Sequence, residues 1–155
     1  MSAVRFRLNG APCEARGDVR LIDFVRDDAG LTAAKVGCDI GRCGACMVWI
    51  DGEPANACLV PIWRLEGAEV TTPEGLDGDP LADVVRAALT QENAFQCGYC
   101  APGLVMSLAA ALRADPALDE QGLRAALVGH LCRCTGYHSI LRGALCAAKR
   151  LRSVI

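Results

Sequence analysis

Gly37-Cys38-Asp39-Ile40-Gly41-Arg42-Cys43-Gly44-Ala45-Cys46 packs three cysteines and three glycines into ten residues. No helix or strand suits such a run, so it reads as a loop whose shape is set by what its thiols hold. Cys38, Cys43 and Cys46 stand as C-x4-C-x2-C, and Cys58 follows after eleven intervening residues. That is the plant-type spacing for a 2Fe–2S cluster. A flat core of two irons and two sulfides needs two thiolates per iron, and a loop that wraps it closely can supply three. Glycines let backbone N–H groups approach the sulfurs, where they stabilise the reduced, more negative state. A structural zinc site prefers two C-x2-C-like pairs and fits this loop less well.

On either side of the loop the pattern alternates as strands do. Val4 to Leu8 reads as a strand, Asn9-Gly10 as a hairpin turn and Pro12 to Ala15 as its partner. Asp18 is placed to cap a helix over Leu21 to Asp28 that Gly30 ends. Met47 to Ile50 is a strand, Asp51-Gly52 a turn, and Glu53 to Cys58 the return strand that carries the fourth thiolate. The stretch from Gly67 to Pro80, rich in Gly, Pro and Thr, marks a boundary. Beyond it the chain is rich in Ala and Leu. Helices are expected over Leu81 to Thr90, Pro102 to Ala114, Asp119 to about Leu131 and His138 to Leu151, with Asp119 as a cap. The expected fold class is α+β: a β-rich domain over residues 1–75 and a small four-helix bundle over 76–155.

The helical half carries a second set: Cys97 and Cys100 as C-x2-C, then thirty-one residues, then Cys132 and Cys134 as C-x-C. Helix N-termini could offer N–H groups to an anionic cluster there. Spacing alone leaves an all-cysteine zinc site as a competitor. Cys13 and Cys146 fall outside both sets and read as small buried hydrophobes. With four cysteines in each set, His130 and His138 read as non-ligands.

Composition bounds the function. The chain has 155 residues, 52% hydrophobic and 22% charged, enough to bury a core. A net charge of −2 with scattered basic residues argues against nucleic acid. Lys149, Arg150 and Arg152 suit the last turn of a terminal helix. No apolar run reaches the ~20 residues of a membrane span, and no signal-peptide core is visible, so a cytoplasmic location is expected. Ten cysteines in a reducing compartment point to metal or redox chemistry rather than disulfides.

Taken together and in this order, four segments resemble the iron–sulfur subunit of the molybdenum hydroxylases, the xanthine oxidase and aldehyde oxidoreductase family. They are Val36-Gly37-Cys38-Asp39, Gly41 to Cys46, Gln96-Cys97-Gly98-Tyr99-Cys100-Ala101-Pro102-Gly103 and Leu131 to Tyr137. The resemblance implies a plant-ferredoxin-like β-grasp domain followed by a four-helix domain, and a 2Fe–2S cluster at each set. It implies that Gln96 and Cys134 contact a molybdopterin cofactor, as its cytosine dinucleotide, bound by a large partner subunit. It further implies a medium subunit with FAD, so that electrons run from the pterin through the Cys97/Cys100/Cys132/Cys134 cluster to the Cys38/Cys43/Cys46/Cys58 cluster and on to FAD or another acceptor. The chain would then be the electron-transfer part of an oxidoreductase and do no bond chemistry itself. Arg133, between two ligands, could offset cluster charge. Ile40 and His130 depart from the family, which often has Glu and Asn there. The rivals are a free-standing ferredoxin-like shuttle and a structural two-zinc module.

Overall fold

The computed structural model describes residues 3–153. Strands β1 (Ala3–Leu8) and β2 (Ala11–Arg16) form the first hairpin. Helix α1 (Leu21–Asp23) runs directly into a π-helical turn, Phe24–Asp28. After the cysteine loop come β3 (Met47–Ile50) and β4 (Glu53–Asn56), the second hairpin, then β5 (Glu69–Thr71). Four helices complete the chain: α2 (Pro80–Gln91), α3 (Ala101–Ala114), α4 (Glu120–Ala126) and α5 (His138–Arg152). Both hairpin turns have two residues at positive φ, Asn9-Gly10 and Asp51-Gly52, as the tight turns of right-twisted strands require.

The five strands form one mixed sheet in the order β2-β1-β5-β3-β4, in which only β1 and β5 run parallel. The fold is α+β, with a mixed sheet and five helices. β5 is central, yet it is three residues long and lies inside the Gly- and Pro-rich stretch that the sequence marks as a boundary. Its strand character comes from pairing on both sides, which local sequence does not record.

Two apolar clusters are built. Phe6, Leu21, Ile22, Val25, Val48, Ile62 and Val70 fill the first, between the sheet and α1; Phe6 and Phe24 meet edge to face at 5.8 Å. Val85, Leu89, Leu104, Leu108, Leu112 and Ile140 fill the second, among α2 to α5. The period of two along β3 joins them. Val48 points into the sheet cluster and Trp49 into the helical one, where its Nε1–H donates to the Met106 carbonyl at 3.0 Å. α2 packs on α5 and α3, and α4 packs on α5 and α3.

Several expectations are corrected. Asp18 does not cap α1: its carboxylate is taken by Arg16, and Arg20 stands at the N-cap without a side-chain bond. The return strand ends at Asn56, so Cys58 lies in the 3-10 turn Ala57–Leu59. The third helix of the second half stops at Ala126 and gives way to a turn over 127–129 in which Gly129 takes φ +92°, so Leu131 lies beyond it. Asp119 does cap α4, accepting from Gly122 N at 2.9 Å, and Lys149, Arg150 and Arg152 do sit in the last turn of α5. Cys13 and Cys146 are half-buried against the two clusters, as small apolar side chains are. Among the described residues no helix is long and apolar enough to cross a membrane.

Candidate iron–sulfur sites

The loop from Gly37 to Cys46 is tied down at several points. Lys35 N donates to Ala45 O at 2.8 Å and closes its neck. Arg20 bonds Asp39 at 2.7 Å and also Asp23, fixing the loop to α1. Asn56 Nδ2 donates to Gly41 O at 3.1 Å. Backbone N–H groups do reach sulfur: Arg42 N donates to Cys38 Sγ at 3.2 Å and Cys38 N to Cys43 Sγ at 3.3 Å. Gly37 is required by closeness, since a Cβ there would stand 2.8 Å from Cys43 Sγ.

The thiols differ by environment. Backbone N–H groups of Ile40 and then Arg42 pull the Cys38 thiol down to about 7. Burial pushes Cys46 up to about 12, and burial pushes Cys100 up to about 12 as well. Cys97 is lowered, first by the Tyr99 N–H. For Cys132 burial acts upward, but the Thr135 hydroxyl and nearby backbone N–H groups outweigh it and the thiol is lowered.

In the second set two sulfurs come close together. Cys97 and Cys134 lie 3.6 Å apart, and Cys100 and Cys132 line the same cavity. In the first set the resolved contact between ligand residues is Cys38 N to Cys43 Sγ at 3.3 Å. Among the described residues no three His, Cys, Asp or Glu side chains converge on a position for a single metal ion. Two thiolates on one tetrahedral metal with bonds of about 2.3 Å sit about 3.7 Å apart, so the Cys97–Cys134 spacing suits one metal of a pair.

The second set lies where three pieces of chain meet: the turn before α3, the C-x-C turn before α5, and the first loop. Cys97, Cys100, Cys132 and Cys134 line a cavity of about 180 Å3 together with Cys43 and Arg133. A larger groove, about 580 Å3, runs along the β3–β4 hairpin and α3 and holds no cysteine. Cys97, Cys134 and Gln96 are exposed at the rim, and Gln96 Nε2 donates to Cys134 O at 2.9 Å.

The two loops are fastened to each other. Leu131 N donates to Cys43 O at 3.0 Å. Tyr99 OH donates to Val36 O at 2.7 Å. The buried His130 ring packs on Gly44, which has φ +69°; a Cβ there would stand 2.3 Å from His130 Nδ1. His130 Nε2 and Ser107 Oγ share a hydrogen bond at 2.7 Å, while burial lowers the ring to about 4. His130 therefore packs the C-x-C segment against Gly44 of the first loop. Sequence reasoning missed Asn56, Tyr99, Thr135 and Tyr137. The last three lie inside the segments that carry the family resemblance, and that was the signal that could have found them.

Fold and thiol sites define an iron–sulfur type of protein. The family described as "2Fe-2S binding domain" matches residues 72–145. A probable xanthine dehydrogenase component of Bacillus subtilis (strain 168) is 42% identical over 148 residues, covering 94% of this chain and 84% of that protein. The caffeine dehydrogenase subunit gamma of Pseudomonas sp. (strain CBB1) is 41% identical over 143 residues, covering 89% and 86%. The crystal structure of quinoline 2-oxidoreductase from Pseudomonas putida 86 superposes with a TM-score of 0.87 at 32% identity, covering 98% of this chain and 96% of that one. The chain belongs to the family of small iron–sulfur subunits of the molybdenum hydroxylases. It is the electron-transfer part of an oxidoreductase, and a free-standing shuttle is the less favoured reading.

Proposed function

We propose that the chain holds two 2Fe–2S clusters, one on Cys38, Cys43, Cys46 and Cys58 and one on Cys97, Cys100, Cys132 and Cys134. The 3.6 Å Cys97–Cys134 spacing, the shared cavity of the second set and the plant-type order of the first support this, as does the lack, among the described residues, of three side chains converging on a single metal position. Each cluster, when bound, supplies a one-electron relay. The protein's own residues set where the relays sit and what surrounds their sulfurs.

The observation that carries the reading is the Leu131 N–H bond to Cys43 O. It connects the neighbour of one ligand directly to another ligand of the other set, so the two sites share a short bonded route. The second set, with exposed Cys134 and Gln96 on its rim, faces a molybdopterin, as its cytosine dinucleotide, in a large partner subunit. The first set faces outward to FAD in a medium subunit. The domain division falls at residues 75 and 76, with a ferredoxin-like β-grasp sheet before it and a four-helix bundle after it. Sheet order β2-β1-β5-β3-β4 and the ring of helix contacts support that division. The assembled complex resides in the cytoplasm.

Spectroscopy of the purified complex tests this. We expect a red-brown protein with two distinct reduced-cluster signals in electron paramagnetic resonance. Cys97→Ser should remove one signal and Cys46→Ser the other. A colourless, fully metallated protein, or one signal lost in both variants alike, would overturn the two-cluster assignment.

A further inference from the structure

The C-x-C turn holds a hydroxyl aimed at a sulfur. Thr135 Oγ1 donates to Cys132 Sγ at 3.2 Å. The direction is fixed by its other partner: Tyr137 N donates to the same oxygen at 3.3 Å, which leaves the hydroxyl proton for the sulfur. Tyr137 locks the turn in place. Its own OH accepts from Cys132 N at 2.8 Å and donates to His130 O at 3.0 Å, and its backbone takes the left-handed φ of 70° just before α5. Among the described residues this is the only side-chain hydroxyl that donates to a cysteine sulfur. The donors resolved on the first set are backbone N–H groups of Cys38 and Arg42, whereas Thr135 donates from a side chain that substitution can remove without altering the backbone.

We propose that Thr135 is a positioning residue that sets the reduction potential of the second site by donating to the Cys132 thiolate. This deepens the proposed function and rests on that site holding a 2Fe–2S cluster. A hydrogen bond to a ligating sulfur favours the state with more negative charge. The electron enters from the partner's molybdopterin centre in a one-electron reduction and leaves to the first site. No proton moves, because the Thr135 hydroxyl keeps its own and its bond only strengthens as the sulfur gains charge. The hydroxyl therefore raises the second site's potential while leaving the first untouched.

The test is a redox titration of the whole complex, with both signals followed by electron paramagnetic resonance. It compares the parent with Thr135→Val, Thr135→Ala and Thr135→Ser. The second-set signal is the one that Cys97→Ser removes. We expect Val and Ala to lower its midpoint beyond titration error, Ser to restore it, and the first-set midpoint to stay constant in all four proteins. An unchanged second-set midpoint in Thr135→Val overturns the proposal. So does an equal downward shift in Thr135→Ser. So does loss of iron from the second site in both Val and Ala while Ser loads, since the hydroxyl would then serve assembly and not potential. Failure of the two-cluster reading looks different, because the parent itself would lack a second signal.

Discussion

Gly103, in the first turn of α3, gives the sharpest test of how the helices meet the first cysteine loop. Helix propensity predicts that Gly103→Ala stabilises the protein by about 1 kcal/mol. The structure reverses the sign. A Cβ at Gly103 would stand 2.1 Å from Gly44 O and 3.1 Å from Gly44 C. That carbonyl is backbone, and it accepts from Met47 N at 3.2 Å where β3 begins, so it cannot swing away without giving up that bond. Overpacking costs about 1–3 kcal/mol and a lost hydrogen bond about 1 more. After the propensity gain, the net loss is roughly 1–3 kcal/mol. At about 2–4 °C per kcal/mol for a chain of this size, the midpoint should fall by roughly 2–12 °C. Gly122→Ala is the control. It too is helical, but its Cβ would meet only Leu118 Cδ2, at 2.5 Å, the tip of a half-buried side chain that can rotate. That variant should gain about 0.5–1 kcal/mol. Thermal melts followed by far-ultraviolet and visible circular dichroism would read both. A Gly103→Ala protein that melts at or above the parent would refute the close approach of α3 to the loop.

Two further expectations are smaller. Asp79 caps α2 through Ala82 N at 2.9 Å and pairs with Arg113, whose guanidinium lies 4.8 Å over Trp49; Asp79→Ala should cost about 1 kcal/mol and Asp79→Asn less, read by the same melts. Ile40 is 60% exposed beside Cys38, so Ile40→Glu adds a carboxylate near the first site and should lower that site's potential alone in the redox titration, with no change beyond error counting against it.

How much was legible in the sequence follows physical lines. Spacing C-x4-C-x2-C announced the first thiolate set because a tight loop must supply three ligands from neighbouring residues, which is a local constraint. The hairpins at Asn9-Gly10 and Asp51-Gly52 were legible for the same reason. β5 was not, because a three-residue strand is defined by the two strands that flank it. Nor was the exact end of α4 at Ala126, although Gly129, at φ +92° in the turn that follows, is a local stop signal for it.

The sequence by itself determined which residues could ligate metal, that they fall into two sets, and the α+β order of elements. Chemistry of that kind resides in residue type and short spacing. Only the tertiary structure decided that the two sets abut. Leu131 bonds Cys43, Tyr99 reaches Val36 and His130 lies on Gly44, contacts between residues tens of positions apart along the chain. It also decided which side chains aim at sulfur, such as Thr135 at Cys132. Direction and distance depend on how the loops fold back on one another, and no spacing rule carries them.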